Sequence, residues 1–145
     1  MGLTGGCMCG SVRYELTSDP FDCGWCHCRT CQLSSGAPGQ VFASVPVGHL
    51  VWTKGEELVR TVASSGFGQR SFCAECGTPF LMQVTHQPDT VDFSVATLDD
   101  PDSIEPGFHI FWSSRICWFE PGDDLPRHEK FRPDTRGLEG TEPPA

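Results

Sequence analysis

Hydrophobic and polar residues alternate along much of this chain, in short runs. Within residues 11–16, Val12, Tyr14 and Leu16 alternate with Arg13 and Glu15. That is the pattern of a half-buried strand, in which every second side chain meets a core. Asp19-Pro20 then breaks the run with a turn. Residues 40–45, 49–53 and 58–63 follow as short segments bounded by Pro or Gly. Residues 78–84 and 90–98 are further strands, the second alternating through Val91, Phe93 and Val95. Residues 108–111 and 116–119 form the last apolar runs. Cys117, inside the second, reads as a buried thiol acting as a small hydrophobe. Residues 29–33 have room for one helical turn at most. Short strands with turn signals roughly every 8–12 residues predict an all-β barrel or sandwich with little helix. There is no internal repeat.

Composition narrows the class. A chain of 145 residues is long enough for one domain with a real core. An apolar fraction of 38%, with ten Phe and four Trp, is not that of a disordered chain. The net charge of −9 disfavours nucleic acid and anionic membranes as partners, because both require a basic patch. No apolar run approaches the roughly 20 residues that span a bilayer. Residues 1–6 carry neither a charged nor an apolar leader region. From about residue 132 onward Pro, Gly and charge dominate, so the expected domain is 1–131 and residues 132–145 read as a solvated, flexible tail. Nine cysteines without a secretion signal point to a reducing compartment, the cytoplasm, and to metal rather than disulfides.

Seven of the cysteines fall into three motifs. Cys7-Met8-Cys9, flanked by Gly5, Gly6 and Gly10, is a C-x-C pair. Cys73-Ala74-Glu75-Cys76-Gly77 is a C-x-x-C-G knuckle, where a glycine after the second ligand permits the tight turn. The simplest partition gives Cys7, Cys9, Cys73 and Cys76 one closed four-thiolate zinc site, the alternative being that one pair is an unmetallated, reduced motif. The closed site would staple the N-terminus to mid-chain, so this metal should matter for folding. The third motif is Cys26-His27-Cys28-Arg29-Thr30-Cys31, whose three thiolates leave a fourth tetrahedral position open. An open position separates a catalytic zinc from a structural one. Cys23, three residues before Cys26, offers a fourth thiolate that would close this site and leave it inert. His27 lies between two ligands and is open to three readings: ligand, proton shuttle or solvated neighbour. A packed or hydrogen-bonded role is the simpler reading of His109. His49, His86 and His128 sit in polar contexts and carry no signal.

These motifs carry a resemblance. The residues are Gly6-Cys7-Met8-Cys9-Gly10-Ser11-Val12-Arg13-Tyr14, Cys26-His27-Cys28-Arg29-Thr30-Cys31, Ser35-Gly36-Ala37-Pro38, Gly68-Gln69-Arg70-Ser71-Phe72-Cys73-Ala74-Glu75-Cys76-Gly77 and Leu98-Asp99-Asp100-Pro101. The chain resembles, up to about Phe131, the glutathione-dependent formaldehyde-activating enzymes, which share a domain with centromere protein V. The resemblance implies a compact all-β, zinc-bearing sheet structure with two Zn2+ per chain. It implies that Cys7, Cys9, Cys73 and Cys76 hold a structural zinc and that Cys26, Cys28 and Cys31 hold a catalytic one. The implied activity is that of a carbon–sulfur lyase of the S-hydroxymethylglutathione synthase type, with glutathione and formaldehyde as partners. Cys23 is not part of the family motif.

The chemistry of the ligands agrees with a thiol substrate. A thiol entering beside zinc is deprotonated on coordination, whereas a free thiol of pKa ~8.5 is only a few per cent ionised at neutral pH. Addition of the thiolate to an aldehyde carbon gives a hydroxymethyl thioether, and the reverse breaks a carbon–sulfur bond. Arg13, Arg29, Arg70 and Arg115 are the candidates to pair with glutathione's carboxylates. The alternative is a non-enzymatic, zinc-scaffolded interaction module with two structural zincs. That branch of the resemblance carries basic extensions, and this chain is short and acidic.

Overall fold

The computed structural model describes residues 2–132, so the expected tail lies almost wholly outside the described residues. Three strands form a small antiparallel sheet in the order β1 (Thr4–Gly6), β2 (Arg13–Leu16) and β5 (Leu50–Lys54). Its register puts Tyr14 opposite Gly5 on one side and Trp52 on the other. Seven strands form the larger sheet: β3 (Phe21–Cys26), β4 (Gln40–Pro46), β6 (Val59–Ala63), β7 (Gly68–Cys73), β8 (Pro79–Val84), β9 (Thr90–Ser94) and β10 (His109–Ile110). Their order is β10-β3-β4-β9-β8-β7-β6. Every pairing is antiparallel except β10 on β3, which is parallel. The all-β expectation holds: the chain is mostly short antiparallel strands arranged as two sheets.

Alternation decides which face each side chain meets. Val12, Tyr14 and Leu16 point from the small sheet into a core shared with Ala43, Val45, Phe80, Val91 and Phe93 of the large one. Tyr14 is the hub, with ring centroids 6.1 Å from Trp52, 6.1 Å from Phe80 and 6.4 Å from Phe93. Its hydroxyl meets Thr97 Oγ1 at 2.8 Å, so the buried phenol is satisfied. Burial pushes its pKa up to about 12.

The opposite face of the large sheet presents Phe42, Ser44, Arg70, Met82 and Asp92. The strand register lines four of them up in one row across four strands: Arg70 opposite Met82, Met82 opposite Asp92, Asp92 opposite Ser44. A second, smaller apolar cluster of Cys26, Cys31 and Phe42 sits on this face, with Cys28, Met82, Ile110 and Phe111 packed against it.

Several expectations are corrected. Residues 21–26, where the alternation predicts no strand, form strand β3, bulged between Phe21 and Gly24. Residues 29–33 extend beyond one turn to the helix α1 (Arg29–Ser35). Cys28 caps it by accepting from the Cys31 N–H at 3.3 Å, and Gly36 ends it with a left-handed φ of 67°. Residues 95–97 leave the β9 ladder as a 3-10 turn, held by Thr97 Oγ1 donating to Ser94 O at 2.7 Å. Residues 116–119 are not a strand, and Cys117 is exposed in a turn rather than buried.

Candidate metal centres and the cleft beside them

The first cysteine group joins two knuckles from distant parts of the chain. One precedes β2 and the other begins at the last residue of β7. In each, the glycine after the second cysteine has a left-handed backbone, φ 77° at Gly10 and 81° at Gly77. A side chain there would be strained, so the spacing C-x-C-G and C-x-x-C-G has a backbone cause. The four sulfurs of Cys7, Cys9, Cys73 and Cys76 lie within 4.8 Å of one another. Cys7 Sγ is 3.5 Å from Cys9 Sγ, and Cys9 Sγ is 4.0 Å from Cys73 Sγ. Tetrahedral zinc with Zn–S near 2.3 Å separates its sulfurs by about 3.8 Å, so the donor set and spacing fit that ion. The Val12 N–H donates to Cys7 Sγ at 3.3 Å, and Cys76 Sγ is 3.2 Å from the Thr78 hydroxyl. Such donors favour thiolate, and the Thr78 hydroxyl leads in lowering Cys76 to about 6.

The second group is Cys26, Cys28 and Cys31, whose sulfurs also lie within 4.8 Å of one another. Cys26 ends β3, Cys28 caps α1 and Cys31 sits in its first turn, so a strand end and a helix start bring the three together. Cys28 is the thiol driven down, chiefly by hydrogen bonds from Cys26 and then Cys31, while Cys26 is driven up by the same pairing. Arg70 Nη2 donates to Cys31 Sγ at 3.2 Å. Its guanidinium also meets Ser34 at 3.0 Å and Gln40 at 3.3 Å. Three thiolates around a dication leave a charge of −1, and a buried guanidinium on one sulfur offsets it. Arg70 was a candidate partner for a substrate carboxylate, and its hydrogen bonds are turned to the cysteine site instead.

Cys23 is not in this group. It lies three residues before Cys26, which places the two on opposite faces of β3. Cys23 packs in the main core, and burial pushes its thiol up to about 11. Among the described residues no fourth protein ligand joins Cys26, Cys28 and Cys31.

The loop carrying the three cysteines is pinned from behind. His27 is fully buried, its Nε2 2.8 Å from His109 Nδ1, and His109 Nε2 is 3.0 Å from Asp123. Trp25 stacks on both imidazoles, and Gln32 Nε2 donates to the His27 and Ser114 carbonyls at 2.8 and 3.1 Å. Burial, helped by His109, lowers His27 to about 4. A buried, hydrogen-bonded histidine at His109 agrees with the simpler reading of it, and the solvated alternative for His27 fails. Of the other arginines, Arg13 forms a bidentate pair with Asp99, Arg29 bonds Gln32 at 3.2 Å, and Arg115 lies over Trp112. His86 is not in a polar setting: it stands between Phe67 and Phe131.

Two cavities open beside the second cysteine group. One, of about 180 Å³, is lined by Cys26, Cys28, a majority of apolar side chains and the polar Thr30, Ser64, Ser65 and Arg70. The other, of about 70 Å³, runs from Cys26 toward Ser44, Asp92 and the Asp22–Arg132 ion pair. Burial pushes Asp92 up from the usual 3.8 to about 6, against the Ser44 hydroxyl that donates to it at 2.5 Å. Asp22 adds to the rise and Arg70 opposes it. The folded state therefore favours the protonated acid. Its contribution to stability is fully present below about pH 4 and is lost as pH rises through about 6. Asp92→Asn, which still accepts from Ser44, should be the more stable protein at neutral pH. The advantage should grow by about 1 kcal/mol between pH 5 and pH 8 in paired urea titrations. A constant difference across that range would show that the acid is not held protonated.

Comparison with known proteins agrees with this architecture. A family profile described as "Glutathione-dependent formaldehyde-activating enzyme" matches residues 2–114. A Phaeosphaeria nodorum protein, provisionally named a glutathione-dependent formaldehyde-activating enzyme, is 33% identical over 132 residues, 87% of this chain and 70% of that one. An uncharacterized lyase of Schizosaccharomyces pombe is 28% identical over 82 residues, spanning 57% of this chain and only 58% of its own length. A crystal structure of a Rhodobacter sphaeroides protein superposes with a TM-score of 0.57 at 20% identity, covering 86% of this chain and 99% of that one, and so shares the fold. The two knuckles, the three-cysteine loop and the profile match over most of the chain lead to one conclusion: this protein belongs to the glutathione-dependent formaldehyde-activating enzyme family.

Proposed function

We propose that the protein is a zinc-dependent enzyme that makes or breaks a carbon–sulfur bond in a glutathione-type thiol adduct. The observation that carries this reading is the three-sulfur group of Cys26, Cys28 and Cys31, which no fourth ligand joins among the described residues and which opens onto a cavity. Zinc held there would supply a Lewis acid that keeps an incoming thiol deprotonated at neutral pH. Cys7, Cys9, Cys73 and Cys76 would hold a second, structural zinc.

The chain's own residues would do the rest. Arg70 offsets negative charge at Cys31. The cap at Cys28 and the His27–His109–Asp123 chain fix the loop, so the three sulfurs are held in place before substrate arrives. The apolar walls exclude water, which strengthens each polar contact inside. Thiol sulfur adds to the carbonyl carbon, the carbonyl pair moves to oxygen, and oxygen takes the proton that the thiol gave up. In reverse the same atoms release thiol and aldehyde.

Cobalt substitution tests the reading. Glutathione added to the cobalt protein should intensify the sulfur–cobalt charge-transfer bands. Calorimetry in two buffers of different ionisation heat should count about one proton released, since the free thiol is mostly protonated at neutral pH. An unchanged spectrum and no heat at millimolar glutathione would remove glutathione from the proposal.

A further inference from the structure

The larger cavity poses a question that formaldehyde does not answer. It begins at Cys26 and Cys28 and holds about 180 Å³. That exceeds the roughly 150 Å³ in which an engineered apolar cavity binds benzene. A two-heavy-atom aldehyde would leave it almost empty. Most of its wall is Phe67, Met82, Val84, Ile110, Phe111 and Phe131, each only half-buried, and Thr30, Ser64, Ser65 and Arg70 line the remainder.

The apolar side chains come from four separate parts of the chain: the turn before β7, strand β8, the end of β10 and the segment near residue 131. The aromatic ones are linked through His86 by a chain of ring contacts. Phe67 lies 5.9 Å from His86, His86 5.1 Å from Phe131, and Phe131 4.8 Å from Phe111. Both ring nitrogens of His86 are buried without a partner, and burial lowers its pKa, so it adds a neutral aromatic face and no charge.

Backbone geometry points the same way. Among the described residues two that are not glycine have a positive φ, Asp22 at 50° and Phe111 at 53°. Each lines one of the two cavities beside Cys26. Left-handed backbone at a bulky residue persists where the surroundings impose it, and such outliers gather at ligand sites. Among the described residues Arg70 is the one guanidinium on the larger cavity, and both its terminal nitrogens are bonded, to Cys31, Ser34 and Gln40. The polar groups sit at one part of the wall, and the larger apolar part suits a hydrocarbon.

We infer that the carbonyl partner of the thiol is an aldehyde carrying an apolar group about the size of a phenyl ring, seated against Phe67, Met82, Phe111 and Phe131. This rests on the carbon–sulfur reading above and sharpens it. The balance is that of a simple addition: the thiol's sulfur bonds to the aldehyde carbon, the thiol's proton ends on the former carbonyl oxygen, and nothing is oxidised or reduced. The apolar group takes no part in the bond change. It determines which aldehyde is held long enough to react.

The zinc-loaded protein, labelled at its methionine methyls, gives a readout independent of activity. Met82 lies on the cavity wall, while Met8 is 83% exposed and serves as a control. Titration with 2-phenylethanol, an inert stand-in for the aldehyde's apolar end, should shift the Met82 methyl resonance and leave Met8 unmoved. The shift should weaken at least several-fold in both Phe67→Ala and Phe131→Ala, two rim residues at which truncation spares the main core. No Met82 shift at millimolar 2-phenylethanol would overturn the inference. A second arm compares S-benzylglutathione with S-methylglutathione by calorimetry. Burying a phenyl ring should make the benzyl thioether bind about 10- to 100-fold tighter. Equal affinity would overturn the inference and leave the glutathione reading intact. If neither thioether binds while 2-phenylethanol still moves Met82, the apolar seat stands and glutathione is the part that fails.

Discussion

Cys73→Ser is expected to leave little folded protein. Cys73 is fully buried, and its sulfur belongs to the four-thiolate group that ties residues 7–9 to residues 73–76. A structural zinc in small domains contributes about 10–16 kcal/mol of apparent binding energy, comparable to or greater than the ~5–15 kcal/mol that holds a typical domain together. Losing one ligand of four removes much of that contribution. A serine in an apolar core carries its own penalty of about 1–3 kcal/mol, and Cys23→Ser supplies the comparison. Cys23 is buried in the same core but stands apart from both sulfur groups. Cys23→Ser should lower the melting temperature by several degrees and keep the full zinc content. Cys73→Ser should lose zinc and its cooperative melt altogether. If the two variants melt alike, the four sulfurs do not carry a metal that matters for folding.

Cys28→Ser should have the opposite character: a folded protein with an empty function. Serine is among the best helix N-caps, so it keeps the hydrogen bond that Cys28 now accepts from the Cys31 N–H. Helix α1 therefore survives while one of three thiolates is gone. Zinc content should fall from two per chain to one, with a melting temperature within a few degrees of the parent. Removing even an indirect supporter of a metal ligand costs about 10–100-fold in affinity or activity, so loss of a ligand itself should exceed that. Thiol-dependent turnover and the glutathione-induced cobalt bands should both disappear. Retained zinc stoichiometry with retained turnover would refute a ligand role for Cys28.

The cysteine groupings were legible in the sequence because metal ligands obey short, local spacings. The same locality explains the strands found correctly, such as β2 with Val12, Tyr14 and Leu16, where a period of two is written in adjacent residues. Strand β3 was missed because Phe-Asp-Cys-Gly-Trp-Cys has no polar–apolar alternation, and its cysteines drew attention to chemistry rather than pairing. Strand β1 contains two glycines, which carry no pattern at all. Cys117 was misjudged because an apolar neighbourhood in sequence says nothing of a turn that faces solvent. The His27–His109–Asp123 chain and the aromatic contacts around Phe131 were invisible for a different reason. Their members lie up to 96 positions apart in the chain, and only the fold makes them neighbours.

The large sheet presents its core on one face and the row Arg70–Met82–Asp92–Ser44 on the other. Consecutive residues therefore serve different ends: Phe42 beside Ala43, Leu81 beside Met82, Asp92 beside Phe93. One member of each pair answers to stability and the other to the cleft. Descendants of such a chain are free to exchange the cleft-facing member while the inward one keeps the scaffold intact. Substrate preference can then drift by single steps, none of which has to pass through an unfolded ancestor.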